Sequence, residues 1–487
     1  MTDVVYPPSG SDRKSESSMP LTASAESLSG RNTPFDMKNA PVEGEEPSYS
    51  TKHWSKGKKS LTTLLLCIAT LASTYSSSAY TSSIPTLQID YTMSERMAYA
   101  GVAFYVLGYA LGPLTWAPFS TIWGKRPVYI ASYILFCAFM WGCTQAPNTG
   151  ALMVFRFIAG FCSCSTLNNA ASSIGDYTLP DERGLHAVVY AIFAFGGPCL
   201  GPLFGGIIVT ELDSQWNFDI MAIFASVGLV LVSLIPETYL PVLAKKHGRT
   251  SVKQGELVQQ PSNPIMTALW QPFYMLATEP ILLFVSLYLA LLYALIYAFF
   301  AILPVIYLDH RGWAVEDLSK AYIALGCGFL LGGIFIAVLG GLAAKKRARL
   351  GIKPDLYDIF KIPYITSWMI PCALFIFAFC SGGDQHPIGD LIAEVLFGWG
   401  VICAFMSFIT FLLNMYENRS ASAVGAGTFM RSMLAAAFPL FITDCVDKLG
   451  VEGTCSLFGA LGVLAIPLPF VIQKAGMTAR ARQHNAA

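Results

Sequence analysis

From residue 61 onward the chain is dominated by apolar runs some twenty positions long, broken by short polar links. Crossing a hydrocarbon layer about 30 Å thick takes roughly 20 apolar residues in a helix. Twelve such runs lie at about 61–82, 99–121, 127–146, 151–174, 184–209, 217–235, 279–304, 321–343, 362–380, 388–413, 421–443 and 454–473. Links as short as "APNTG", residues 146–150, predict helical hairpins. A membrane β-barrel would alternate polar and apolar residues over segments of about ten, and no such alternation is present. The pattern therefore predicts an all-α membrane protein with twelve transmembrane helices.

The runs form two sets of six, parted at about 236–278 by the longest interior polar link, which contains "KKHGRTSVKQGELVQQPSN". The expected organisation is a disordered cytoplasmic tail at 1–55, a six-helix bundle at 56–240, a cytoplasmic linker at 241–278, a second bundle at 279–473 and a cytoplasmic tail at 474–487. Two equal halves suggest the repeated, pseudo-symmetric bundles of a secondary transporter, whose site lies at the midplane between them. The first 55 residues are rich in Ser, Pro, Lys and Glu and cannot bury enough apolar surface to fold.

Composition sharpens this picture. Only 13% of residues are charged and the mean hydropathy is +0.52, against roughly 25% charged in soluble domains. A net charge of zero is uninformative, but its distribution is not. With the N-terminus inside, inner segments hold Lys58, Lys59, Lys125, Arg126, Lys245, Lys246, Arg347 and Lys474, whereas outer links hold Arg96, Arg311, Lys320 and Lys448. Lys and Arg concentrate on the cytoplasmic side of membrane proteins, which places both termini in the cytoplasm. The Asn418-Arg419-Ser420 sequon then faces the cytoplasm and stays unglycosylated. No signal peptide is expected, because a long polar segment precedes the first apolar run. The twelve cysteines lie mostly within spans, without metal-ligand spacing. Cys445 and Cys455 both sit near the outer face, so a disulfide between them is an open option that nothing in the sequence supports. No HExxH, GxSxG or GxxxxGK[ST] occurs, so neither an enzyme nor ATP drive is indicated. No cofactor, metal or nucleic-acid partner is expected.

The run "GGPCLGPLFGG", residues 196–206, packs five glycines and two prolines into the fifth span. Gly197, Gly201 and Gly205 share one helix face and let another helix come close. Pro198 and Pro202 each remove a backbone donor, which membranes tolerate where neighbours satisfy the freed carbonyls. Similar spacing recurs at Gly108 and Gly112, Gly328 and Gly332, and Ala421 and Gly425.

These residues resemble the major facilitator superfamily, and within it the fungal twelve-span drug:proton antiporters. Gly197, Pro198, Gly201, Pro202, Gly205 and Gly206 match the branch's antiporter motif. "LGYALGPLTWAPFSTIWGKRPVY" is similar to the second span and its gating loop, with Gly124, Lys125 and Arg126 in the loop. "VFRFIAGF" with Arg156 resembles the fourth-span motif, and "DYTLPDERG" and "PETYLPVL" resemble later cytoplasmic segments. The resemblance covers about residues 54–476 and implies the major facilitator fold, a monomer, and export of a drug, toxin or secondary metabolite in exchange for protons, most simply across the plasma membrane. The branch usually has an acid where this chain has Thr121, which puts the family's gating salt bridge in question.

Charges inside the bilayer cost at least ~2.5–3.5 kcal/mol and normally face a cavity or partner. Arg156 and Arg431 are the deep charges. Each is either a hydrogen-bonding brace or a group that relays protons or holds an anion. Asp176 and Glu394 are candidate proton carriers, with Asp176 expected to pair with Arg183. The resemblance implies a cavity lined by the first, fourth, seventh and tenth spans. These offer the hydroxyls of "STYSSSAYTSS", Asn168 and Asn169, Tyr288, Tyr293, Tyr297 and Phe300, and Trp399. Such walls suit amphipathic small molecules, although an aromatic stripe also serves plain packing. Two deep arginines without deep carboxylates lean toward a neutral or anionic cargo such as a small organic acid. A facilitator or importer on the same fold, or a non-transporting nutrient sensor, are the alternatives.

Overall fold

The structure, a computed structural model, describes residues 49–247, 264–350, 360–382, 386–416 and 419–474. The N-terminal tail through Ser48, linker residues 248–263, Asn418 of the sequon and the tail beyond Lys474 lie outside the described residues.

Among the described residues, twelve helices are long and apolar enough to cross a membrane. The first six are α1 (Lys56–Asp90), α2 (Glu95–Trp123), α3 (Lys125–Thr144), α4 (Thr149–Tyr177), α5 (Glu182–Glu211) and α6 (Ser214–Leu234). The others are α7 (Pro280–His310), α8 (Val315–Arg347), α9 (Lys361–Cys380), α10 (Ile388–Met415), α11 (Ser422–Ile442) and α12 (Asp444–Lys474). Each matches an apolar run of the sequence. The ends are set by local chemistry: Ser94, Asn148 and Asp213 accept from the backbone N–H of Met97, Ala151 and Trp216. These side chains satisfy donors that the first helical turn leaves unpaired. On α8, Leu330, Ile334, Val338 and Leu342 form an exposed stripe at four-residue spacing. In water such a stripe would be a liability; in a bilayer it is the lipid-facing surface.

Helix α1 is not uniform. Its α-helix stops at Ser78, tightens to a 3-10 segment over Ala79–Ser83, and resumes at Ile84–Asp90. The link between halves also contains structure that the polar reading did not show. A helix over Pro264–Thr278 precedes α7 and packs on α2, α7 and the α11–α12 helix.

Within the first set α1 packs on α5, α2 on α4, and α3 on α4 and α6. In the second set α7 packs on α11, α8 on α10, and α9 on α10 and α12. The same pairings, offset by six helices, make the two bundles pseudo-symmetric. The sets meet along two seams, α5 against α8 and α2 against the α11–α12 helix.

Glycine makes the matching approaches possible in both halves. A Cβ at Gly108 or Gly160 would strike the α4 or α2 backbone, and one at Gly328 or Gly398 would strike that of α10 or α8. Gly425 has no such neighbour within 4 Å, so the spacing on α11 does not mark a close approach. All twelve cysteines are free thiols, Cys445 and Cys455 included.

Candidate functional site

On α5 the glycine ladder faces its own bundle. A Cβ on Gly197 would strike Thr74, one on Gly201 would strike Ser78 and the Ala79 backbone, and one on Gly205 would crowd the Ala79 carbonyl. All three partners lie on α1. Gly206 alone turns to the other half, where a Cβ would strike Ser319 of α8. Pro198 and Pro202 sit inside an unbroken helix. The motif thus seats α5 on α1 at backbone distance and frees the adjoining face for the seam with α8. On that face Phe195 meets Phe329 and Phe405, with ring centroids 5.4 and 4.8 Å apart.

Next to this face lies a buried aromatic cluster. Tyr293 of α7 packs edge-on to Tyr297, which packs on Phe300, at 5.2 and 5.4 Å. The Tyr297 hydroxyl bonds to Ser77 of α1 at 3.0 Å across the two halves. Tyr288 lies further along α7 against Phe408. Arg431 of α11 is 6% exposed, and its guanidinium carbon sits over the rings of Tyr293 and Phe405 at 5.3 and 5.1 Å. Its charge also bears on Cys164 of α4 and Tyr190 of α5. Asn168 donates to the Cys164 carbonyl at 3.0 Å, while its Oδ1 and the Asn169 Nδ2 are buried without partners among the described residues. Trp399 stands apart from this group. It packs on Phe335 of α8, because its position on α10 points away from the Phe405 face.

The two deep arginines differ completely. Arg156 is fully buried and spends its donors on the carbonyls of Ser76 at 2.7 Å, Ser77 at 3.2 Å and Gly101 at 3.2 Å. Tyr80 and Tyr105 cover its faces at 4.5 and 4.4 Å. It stands where α1 leaves the α-helical pattern, and it bonds carbonyls of the last α-helical turn. The hydroxyls of that stretch are largely used locally too: those of Thr74, Ser76, Ser77 and Ser78 bond carbonyls of their own helix.

Toward the face opposite the termini, Glu394 of α10 is fully buried and accepts a hydrogen bond from Tyr307 at 3.1 Å. Its other carboxyl oxygen has no partner among the described residues. Asp390, one turn away, is also fully buried but is held by Arg311 at 2.7 Å and by Ser381 at 3.3 Å. Arg311 looked like a residue of an exposed link; the pairing pulls it into the protein. Tyr307 lies where α7 widens to a π-helix over Val305–His310, so α-helical spacing carried on from Phe300 does not single it out.

At the face carrying the termini, Asp176 pairs with Lys125 at 2.7 Å. Arg183, its expected partner, donates instead to the Gly175 carbonyl. Lys125 is at the first turn of α3, and its ammonium reaches the last turn of α4. Glu237 accepts from the backbone N–H groups of Lys125 and Arg126, both at 3.1 Å. Gly124 adopts φ +98°, and a Cβ there would crowd the Glu237 carboxylate. Only glycine combines that backbone with that approach. The loop therefore has its carboxylates in Asp176 and Glu237, while Thr121 merely bonds the Pro118 carbonyl. No group of three metal-ligating residues occurs among the described residues.

A sequence profile described as Major Facilitator Superfamily matches residues 66–439. The chain is 34% identical over 450 residues to "MFS-type efflux pump MFS2" of Trichophyton rubrum, covering 88% of this chain and 74% of that protein. It is 31% identical over 442 residues to "Efflux pump FUBT" of Fusarium oxysporum, with the same coverage. It is also 32% identical over 452 residues to "Ascochitine biosynthesis cluster MFS transporter" of Didymella fabae, covering 90% and 87%. Among solved structures, the xylose transporter XylE from E. coli in a partially occluded inward open conformation aligns with a TM-score of 0.61 and 16% identity. It covers 84% of this chain and 97% of that one.

Proposed function

Because this chain belongs to the major facilitator superfamily, we propose that it exports small organic compounds in exchange for protons, by alternating access between two bundles at 56–240 and 279–473. It is a transporter and not an enzyme. The efflux pumps among its relatives support export. The basic face, with Lys125, Lys245 and Lys474, is assigned to the cytoplasm by the positive-inside rule. The membrane is assigned as the plasma membrane, and the working unit as a monomer.

The observation that carries the proton assignment is the setting of Glu394: a fully buried carboxyl with one tyrosine O–H and no cation. Its neighbour Asp390 has taken Arg311. Of the candidate proton carriers, Asp176 is ion-paired and Arg156 is bonded to carbonyls. Among the described candidates Glu394 is the carboxyl whose charge would be unbalanced, so gaining or losing a proton there changes the charge inside the bilayer. Lying toward the outer face, it would load from outside and release inside as the bundles rock.

The test uses cells of a host stripped of its own efflux pumps, loaded with a panel of small fluorescent or radiolabelled compounds. Export by the full-length protein should stop when a protonophore collapses the pH gradient. Glu394→Gln should abolish uphill export yet still exchange compound for compound. Export indifferent to the protonophore would replace this account with a facilitator.

A further inference from the structure

The Arg431 guanidinium has five N–H donors, yet no described residue accepts a hydrogen bond or forms an ion pair with it, and its Nε is fully buried. The groups it interacts with most strongly are Tyr293, Tyr190, Tyr297 and Cys164. None is a carboxylate. Along α11 its neighbours Thr428 and Ser432 also carry buried hydroxyls without partners. A cation left in this state is expensive, whereas the buried Arg156 donates a hydrogen bond from each of its three nitrogens. Something outside the described chain must therefore complete the arrangement around Arg431.

We propose that Arg431 is a cargo-binding residue and that the cargo carries a carboxylate on a flat or apolar body. This rests on the transporter reading above. The chemistry is read directly from the geometry. Tyr293 and Phe405 lie against the guanidinium, so the approach left to a ligand is toward its N–H edge. That edge is a rigid fork matched to the two oxygens of a carboxylate. The rings of Tyr293, Tyr297 and Phe300 continue away from the cation and supply the surface against which the remainder of an aromatic or aliphatic acid would lie. A cationic cargo would meet like charge with no acid to offset it, and a neutral one would leave the fork unmet.

The test measures binding to the purified full-length protein without a pH gradient, so that failed proton coupling cannot mimic a negative result. Benzoate, 1-naphthoate and octanoate are the probes, with benzamide and benzylamine as matched neutral and cationic controls, read by calorimetry and ligand-induced thermal shift. At least one carboxylate should bind and the controls should not. Arg431→Gln should weaken that carboxylate by roughly 10–100-fold, with Arg431→Lys in between because a point charge replaces the fork. In the absence of ligand, Arg431→Gln should melt no lower than the parent, since it removes an uncompensated cation rather than a used one. Equal binding of benzoate and benzamide, unchanged carboxylate affinity in Arg431→Gln, or no binding by any carboxylate would overturn the assignment.

Discussion

At the scale of single residues, the two deep arginines show what burial alone fails to say. Both interrupt apolar runs, and both stand out in the sequence for that reason. Their roles diverge because the carbonyls of Ser76 and Ser77 come within reach of Arg156, near the point where α1 tightens into its 3-10 segment. No spacing rule announces that change. Arg156→Met should therefore destabilise the fold by roughly 2–4 kcal/mol, because buried carbonyls lose charge-assisted donors. A clear fall in melting temperature in detergent is the expected readout. An unchanged melting temperature with transport lost would show that Arg156 acts on cargo or protons instead. The hydroxyl-rich stretch of α1 taught a similar lesson: its side chains looked like a cavity wall, but several bond their own helix, a choice polar residues commonly make when water is absent.

At the scale of helices, the twelve spans were legible because hydrocarbon length and hydropathy dictate them. Their partners were not. A glycine ladder states that something comes close, and only the fold says what. For Gly197, Gly201 and Gly205 the neighbour is α1, within the same bundle, and for Gly206 it is α8 in the other. Substitutions should separate these two contacts. Gly201→Leu drives a side chain into the Ala79 backbone and should cost about 1–3 kcal/mol or more through overpacking, lowering yield and melting temperature together with transport. Gly206→Ala should leave the bundle stable while slowing turnover, because the clash with Ser319 falls on the seam between halves. If Gly206→Ala melted far below the parent with unaltered turnover, the seam would have to be reassigned. The break inside the hydropathic run of α1 and the helix at Pro264–Thr278 escaped prediction because neither is set by apolar length. The first is governed by local hydroxyl bonding and the second by packing on α2, α7 and the α11–α12 helix.

At the scale of the whole molecule, an ion pair among the described residues ties the bundles on the side away from Lys125 and Asp176, and a hydrogen bond ties them deeper in the fold. Arg96 of α2 reaches Asp444 of α12 at 2.6 Å, and Ser77 meets Tyr297. At the opposite face Lys59 pairs with Glu182 and Lys125 with Asp176, both within the first bundle. Alternating access requires the first group to part. Replacing Arg96 and Asp444 with cysteines, in a background where the exposed Cys327 is Ser, and bridging them with a bifunctional maleimide should stop transport; a reducible linker should restore it on cleavage. Undiminished flux in the bridged protein would rule out separation at that rim. Arg431 has a consequence at this scale as well. With its counter-ion supplied by the passenger and Glu394 carrying the proton only on the return, the centre is positive on the empty, protonated stroke and negative on the loaded, deprotonated one. Voltage across the membrane, worth about 2.3 kcal/mol per elementary charge per 100 mV, then acts on both strokes: an inside-negative potential favours inward return of the positive centre and outward passage of the negative one, so it should speed export.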